Sequence, residues 1–488
     1  MQTNDDHIDL LDALRALAFM GDLSMGQPVD HSPRVAWLAC QLARCIGLDD
    51  DAAEEIRHIA LLRWSGCTAN ATDVAATIGD DVAGRGAMLA LQIERIEVLV
   101  TPEELALRMA SISAIHCEVS SVIGEALGLG TSVAEALRCV FEHWDGSGRP
   151  LGLSGRTIPT SAMVVSLCSD LEVLVRAHGL PAALTLLQKR SGVVYPSEMA
   201  KVVCTRAPTW LDELAQSPTW MNALRAPTQR RVASLALVGD VIDLKLPWLL
   251  GHSRAVAELA DAIGAMLGLA ASTRRTLRRA GWLHGLGRVA VPNAVWNRAG
   301  PLSVADWERV RLNPYWTSRA AQQIGHLEVE AEMASHACER LDGSGYFRGA
   351  RHASTPLEFR ILPVATTWLA LKARRPWRAA MSDDVAMEHL RKEAALGRLD
   401  GMVVDALAKP AAASSATPPG TSESASVLSP REIDVLRRVS LGDSNKEAAL
   451  RLGISPSTVR THLESIFRKL DCNSRAAGTL KASLLGLL

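Results

Sequence analysis

The chain repeats itself, and the repeat limits what it can fold into. The stretch HSPRVAWLACQLARCIGL at 31–48 aligns without a gap on HSRAVAELADAIGAMLGL at 252–269. Further along, WDGSGRPLGLSGRTIP at 144–159 aligns on LDGSGYFRGARHASTP at 341–356. Both motifs keep their order in the two halves. Duplication of one domain explains this, with expected boundaries at 1–225 and 226–408. In the second copy Val256, Leu259, Ala260, Ile263 and Leu267 step by three and four, the period of a helix. DGSG reads as a tight turn between helices. Strand-type alternation is scarce, and aromatic residues make up only 4% of the chain. The predicted fold class is all-α: two tandem helical bundles followed by a further helical domain.

That further domain lies beyond KPAAASSATPPGTSESAS at 409–426, a stretch with almost nothing to bury. It reads as a flexible linker with an r.m.s. span of roughly 23 Å. Such a tether transmits torque poorly, so control through oligomerisation or masking is expected. Residues 427–488 hold ten Lys/Arg against six Asp/Glu, about +4 in a chain whose total is −1. The whole chain is therefore no electrostatic nucleic-acid binder, and any such activity must be local to this tail.

The tail's caps predict four helices. Ser429-Pro430 opens the first and Gly442 ends it. Ser444 caps the second, which ends near Gly453. Ser455-Pro456 opens the third, and Ser474 caps the fourth. The second and third, joined by a short turn, make a helix-turn-helix. Val459, Leu463, Ile466, Phe467 and Leu470 form an inward stripe on the third helix; Ser457, Arg460, Thr461, Glu464 and Arg468 face outward.

Nine scattered cysteines form no CxxC pair, which suits a reducing compartment. Acidic residues stand at the N-terminus where a signal peptide would be basic. No apolar run reaches the length of a membrane span. A soluble, cytoplasmic protein is expected.

LSPRE, SNKEAALRLGIS, TVRTHLESIFRKL and the later SR resemble the LuxR-type DNA-binding domain over the length of the tail. Ala448 stands where that family usually has a larger aliphatic. The resemblance implies duplex DNA as partner and a homodimer, with Leu480, Leu484 and Leu485 as a small dimer face. Arg460, Thr461 and Glu464 are the candidates for base edges. Lys446, Ser455, Thr458, Arg468 and Lys469 are expected on phosphates. Ser457 joins them on the outer face, and His462 is left between binding and packing.

GHSRAV, GWLHGLGRVAVPNAVWNRAGPLSVADWERV, CERLDGSGYFRG and FRILPVATTWLALKARRPWRAAMS resemble an HD domain of the HD-GYP subgroup, a helical metal-dependent phosphohydrolase fold. The first copy resembles it less fully. The family's chemistry rests on divalent metals held by His and Asp. The His of the first helix stands as His252, but the His-Asp pair reads His284-Gly285, followed by Arg288 for Lys. The next ligand His reads Asn313, the paired His before the turn reads Ala337-Cys338, and the last Asp reads Thr366. Phe347 replaces the Pro of GYP. In the first copy His31 stands, the His-Asp pair reads Arg63-Trp64, the paired His reads Val140-Phe141, and the last Asp reads Ser169 beside Asp170. Arg149 replaces the Tyr of the turn.

Two imidazoles without a carboxylate cannot clamp a pair of bridged metals. The expectation is therefore a chain that is not an enzyme and holds no cofactor. Gly343 and Gly345 are expected to hold backbone angles that a side chain forbids. His252, His284, Arg288, Asn313, His336, Cys338 and Thr366 form the candidate ligand pocket. Three uses stay open for it. His252, His284, His336 and Cys338 converge on one metal or a haem; Arg288 grips a phosphate, with a cyclic dinucleotide as the inherited ligand; or the bundle serves dimerisation and partner binding. The function read from the sequence is a DNA-binding transcription regulator whose HD domains sense a small-molecule effector or dimerise. The alternative is a residual cyclic dinucleotide phosphodiesterase with a DNA-targeting tail.

Overall fold

A computed structural model describes residues 6–216, 231–351, 355–409 and 427–488. The chain divides into two compact units. One holds His7–Ser234 with Pro292–Ala294. The other holds Leu235–Val291 and Val295–Leu488, the tail included, with Asp6. The expected copy boundary at 225/226 lies outside the described residues, and so does all of the expected linker except Lys409.

Each copy builds its core from helices that begin where the repeat begins. His31 opens the helix His31–Cys45, and His252 opens His252–Met266. The helices before them, Leu10–Ser24 and Leu235–Asp243, each bring an aspartate to the serine that follows the histidine of their own copy. Asp9 caps the first of these by accepting from Leu11 N at 2.9 Å, and Asp49 caps Asp50–Leu62 by accepting from Ala52 N at 2.9 Å. Their apolar faces meet inside: Leu14, Leu38, Leu42, Ile59 and Leu62 in one unit, Val256, Ile263, Leu277 and Leu283 in the other, all buried. Among the described residues the strand content is a single antiparallel pair, His7–Asp9 with Val232–Ser234. The fold is all-α. No described helix is long and apolar enough to cross a membrane.

The turn motif is built alike in both copies. Gly343 and Gly146 have φ of +81° and +87°, the left-handed region that glycine tolerates. The second glycine is required for a different reason. A Cβ on Gly345 would lie 2.3 Å from Arg340 N, and one on Gly148 would lie 2.1 Å from His143 N. The expectation for Gly345 is thus corrected: crowding, rather than a forbidden angle, excludes a side chain. A buried glutamate staples each loop. Glu339 accepts from Arg348 N at 2.7 Å and Ala350 N at 2.9 Å; Glu142 accepts from Leu151 N at 2.7 Å and Leu153 N at 2.9 Å.

The tail folds as four helices: Pro430–Ser440, Asn445–Leu452, Pro456–Leu470 and Arg475–Leu484. Ser429 with Glu432 and Ser444 with Glu447 form capping boxes. Gly453, at φ +64°, ends the second helix. Ala448 is fully buried, with Val435, Leu436, Val459 and Ile466 in the same core. Leu480 is also buried, so only Leu484 and Leu485 of the expected dimer face are exposed.

Candidate functional site

Two pockets occupy the matching places of the two copies. In the second copy, Asp243 closes the helix Leu235–Asp243 and His252 opens the helix after it. Asp243 accepts from Ser253 N at 2.7 Å and Ser253 Oγ at 2.9 Å. His284 follows Ala271–Leu283, and its Nδ1 donates to Gly281 O at 2.6 Å. That bond leaves Nε2 as an acceptor, 2.9 Å from Arg288 Nη2. The rings of His252 and His284 lie 5.3 Å apart. Burial drives His284 down to about 3 and His252 well below its ordinary value, with Arg288 repelling both imidazolium forms. Both imidazoles are therefore neutral near pH 7. Burial raises Asp243 to about 7 against the pull of Arg288 and Ser253.

The space outside this cluster is open and basic, with a volume of about 540 Å³. Arg288, Arg340, Arg375, Arg378 and Arg398 line it, against Glu393 as its acidic residue. Trp248, Trp296 and Trp377 supply aromatic faces. Trp248 and Trp377 meet edge to face at 5.9 Å, and the Arg375 guanidinium lies 4.1 Å from the Trp248 ring. Arg288 Nη1 and Asn313 Oδ1 are buried there without a hydrogen-bond partner, a donor and an acceptor on one wall. Asp243 Oδ1 lies 3.9 Å from that nitrogen.

Five of the seven residues expected in this pocket line it: His252, Arg288, Asn313, Cys338 and Thr366. His284 stands behind Arg288. His336 does not join them; its Nδ1 donates to Glu332 O at 2.9 Å and its ring packs on Phe359. The proposed convergence of three imidazoles and a thiol is thus corrected. Burial also raises the Cys338 thiol, which disfavours a thiolate ligand. Thr366 Oγ1 donates to Leu362 O in its own helix. Among the described residues, no three His, Cys, Asp or Glu side chains form a metal-holding group. The residues present do not fit a bridged metal pair, and a guanidinium is the cation among them.

In the first copy the same cluster is closed. His31 Nδ1 meets Glu172 Oε2 at 2.5 Å, and its Nε2 meets Arg63 Nη2 at 2.6 Å. Arg63, almost wholly buried, also donates to Ala60 O at 2.7 Å and Ser169 Oγ at 3.3 Å. Asp22 accepts from Ser32 N and Oγ, as Asp243 does from Ser253. Burial lowers His31 to about 4. Burial opposes charge on Glu172, but bonds from His31 and Arg176 hold it down at about 2. The pair is a neutral imidazole on an ionised carboxylate. About 160 Å³ of space remains beside Arg63.

Motif reading missed Asp22, Asp243 and Glu172, so its statement that the pockets hold no carboxylate is corrected. A signal existed for two of them. Asp22 and Asp243 each stand nine residues before the repeat's histidine.

On the tail, Lys446, Ser455, Ser457, Thr458, Arg460, Thr461, Glu464, Arg468 and Lys469 are exposed, most of them along the recognition helix Pro456–Leu470. Arg460 Nε donates to Glu464 Oε1 at 3.0 Å, so these two base-edge candidates are paired with each other. Ser455 Oγ caps its helix through Thr458 N. Lys469 Nζ is held by Glu432 at 2.7 Å, inside the domain. His462 is half-buried. The tail also touches the walls of the open pocket. Arg374, beside pocket residue Arg375, pairs with Asp443 at 3.1 Å and Glu447 at 3.9 Å. Pro247, beside pocket residue Trp248, lies against Gly442.

Residues 236–403 match the HD domain family, and residues 426–482 match the family described as bacterial regulatory proteins, luxR family. The chain carries an HD domain and a C-terminal LuxR-type helix-turn-helix domain. A Vibrio cholerae serotype O1 protein named 3'3'-cGAMP-specific phosphodiesterase 3 is 26% identical over 410 residues, 75% of this chain and 87% of that protein. Such coverage exceeds residues 236–403, so the likeness extends beyond the second copy. A crystal structure of a V. cholerae cyclic GMP-AMP specific phosphodiesterase (V-cGAP3) matches with a TM-score of 0.56 at 24% identity, over 82% of this chain and 97% of that one. That likeness concerns the fold. The nitrate/nitrite response regulator NarP of Escherichia coli is 47% identical over 55 residues, 11% of this chain and 26% of NarP.

These findings overturn the expectation that the chain is not an enzyme. The relative that matches three quarters of it bears a phosphodiesterase's name, which points to enzymatic activity. The missing motif ligands were too narrow a ground for that exclusion. They speak against one metal arrangement, and a walk along motif positions did not see the buried carboxylates.

Proposed function

We propose that this chain is a cytoplasmic, DNA-binding transcription regulator whose second pocket takes a cyclic dinucleotide. The LuxR-type domain makes it a DNA binder, with two copies of the chain on a promoter site. Relatives named as cyclic GMP-AMP and cyclic di-GMP phosphodiesterases supply the ligand class. One observation carries the reading: an open pocket of about 540 Å³ with five arginines and three tryptophans. Arginines suit the two phosphates of such a ligand, and indole faces suit its bases. Hydrolysis of that ligand is the activity the relatives favour. The donors do not match a bridged metal pair, so the roles given to these side chains are binding and orientation of the phosphates and bases.

The pocket reaches the tail through two segments. Trp248 and Arg375 face the ligand space, while their neighbours Pro247 and Arg374 touch Gly442, Asp443 and Glu447. A ligand that shifts these walls changes the seat of the DNA-binding domain. Such a shift requires different ligand affinity in the seated and released states.

Calorimetric titration of the full chain with 3'3'-cGAMP and with cyclic di-GMP tests the reading, with hydrolysis followed by chromatography in the same samples. Saturable binding that Arg288→Ala removes supports it. No binding and no product from either ligand refutes it.

A further inference from the structure

The first copy contains a second cavity whose chemistry is the opposite of the open pocket's. It has a volume of about 440 Å³, and its lining is mostly apolar. An apolar cavity of about 150 Å³ takes one benzene, so this one has room for roughly three such rings. We propose that it is a binding site for an uncharged, largely apolar small molecule of two or three rings, or an acyl chain of similar bulk, bearing one hydrogen-bond donor. The proposal does not depend on the cyclic dinucleotide reading.

The walls set the ligand's character. Met25 and Phe141 belong to one apolar cluster at the cavity; Ile112, Met88 and Met109 belong to another. Three thioethers give the walls an adaptable shape. One charged side chain, Arg85, is buried at the cavity, and its charge is already met. It donates to Ser24 O and Oγ, to Cys67 O at 3.0 Å and to Asn70 Oδ1 at 2.6 Å, with Asp81 3.8 Å away. Arg149 also lines the cavity but is only half-buried, so the buried part of the wall offers an anion little unspent positive charge. A cation would face the Arg85 guanidinium across an apolar wall.

His116 supplies the polar point. Its Nε2 donates to Arg63 O at 2.6 Å, which fixes the tautomer and makes Nδ1 an acceptor. Burial keeps the ring neutral, at about 3. Nδ1 meets the Cys67 thiol at 3.5 Å, but that thiol also lies 3.1 Å from Met25 Sδ, so a ligand O–H or N–H can take its place on Nδ1. A large apolar cavity with a few placed polar groups is the usual form of a small-molecule site.

The test uses N-phenyl-1-naphthylamine, an uncharged apolar fluorophore, titrated into the full chain. The expected result is blue-shifted emission that saturates at one probe per chain. Met88 and Met109 are half-buried, so Met88→Trp and Met109→Trp add bulk to the cavity without uncovering the core. Each should weaken the probe at least about tenfold, with circular dichroism and melting unchanged or improved. Arg288→Ala, in the other pocket, should leave the probe's affinity unchanged. Absence of saturable binding, or binding that neither folded tryptophan variant weakens, would overturn the proposal.

Discussion

The two copies share a skeleton and differ in one cation. In both, an aspartate nine residues before the histidine accepts from the next serine's backbone and hydroxyl. In both, a buried glutamate staples the glycine turn. The guanidinium, however, enters from different positions. Arg63 reaches straight onto His31, whose other nitrogen is held by Glu172, and about 160 Å³ is left. Arg288 lies against His284 and borders about 540 Å³, while each guanidinium keeps one nitrogen without a hydrogen bond, Nε in Arg63 and Nη1 in Arg288. The same fold thus yields a closed ionic core in one copy and an open anion-attracting pocket in the other. Fold alone does not set function.

The sharpest way to break this comparison is to remove each arginine in turn. Arg63→Ala takes the donor from His31 and from the Ala60 carbonyl and removes the buried positive charge that Asp22 feels, and should cost about 3–5 kcal/mol in denaturant unfolding. Arg288→Ala borders an open pocket and should cost roughly 1–2 kcal/mol. Equal losses would erase the distinction between plug and pocket. The shared skeleton makes the converse prediction. Glu142→Ala and Glu339→Ala each leave two backbone N–H groups without their acceptor and should cost a similar amount, about 2–3 kcal/mol.

Within the tail, Arg460→Ala should cost about 1–3 kcal/mol on the preferred operator and relax its sequence choice. Lys446→Ala should weaken all duplexes alike and lower the salt slope by about one. Gel shifts at several salt concentrations separate the two.

The smallest effect expected is on pH. Five buried imidazoles, His31, His58, His116, His252 and His284, have folded values below their unfolded one. They take up protons on unfolding, so the stability they support is lost as pH falls from about 6.5 toward 4. Asp22 and Asp243, raised to about 7, and Asp170, raised to about 6, act the other way, because the folded state holds their protons as pH falls. Five groups against three leave a net fall in melting temperature between pH 7 and 4.5.

Much of this architecture was legible because it is local. The Ser-Pro entries, the capping boxes and Gly453 fix the tail helices within a few residues of chain, and the repeat fixes the two bundles. The pocket was less legible. Trp248, Arg340, Arg375 and Arg398 come from segments far apart, and only packing brings them together. His336 misled for the same reason: proximity in sequence to Cys338 did not set the direction of its ring, which turns to Glu332 and Phe359. Glu172, on the helix Thr160–His178, closes the first pocket from outside any motif.

The central claim is that the open pocket and the tail are linked through Trp248 and Arg375. Its most direct test is the affinity of the full chain for a labelled genomic operator, measured by fluorescence anisotropy with and without saturating cyclic dinucleotide. A shift of at least about threefold in the wild type, absent in Arg288→Ala, is the predicted result. Identical DNA affinity with and without bound ligand would contradict it.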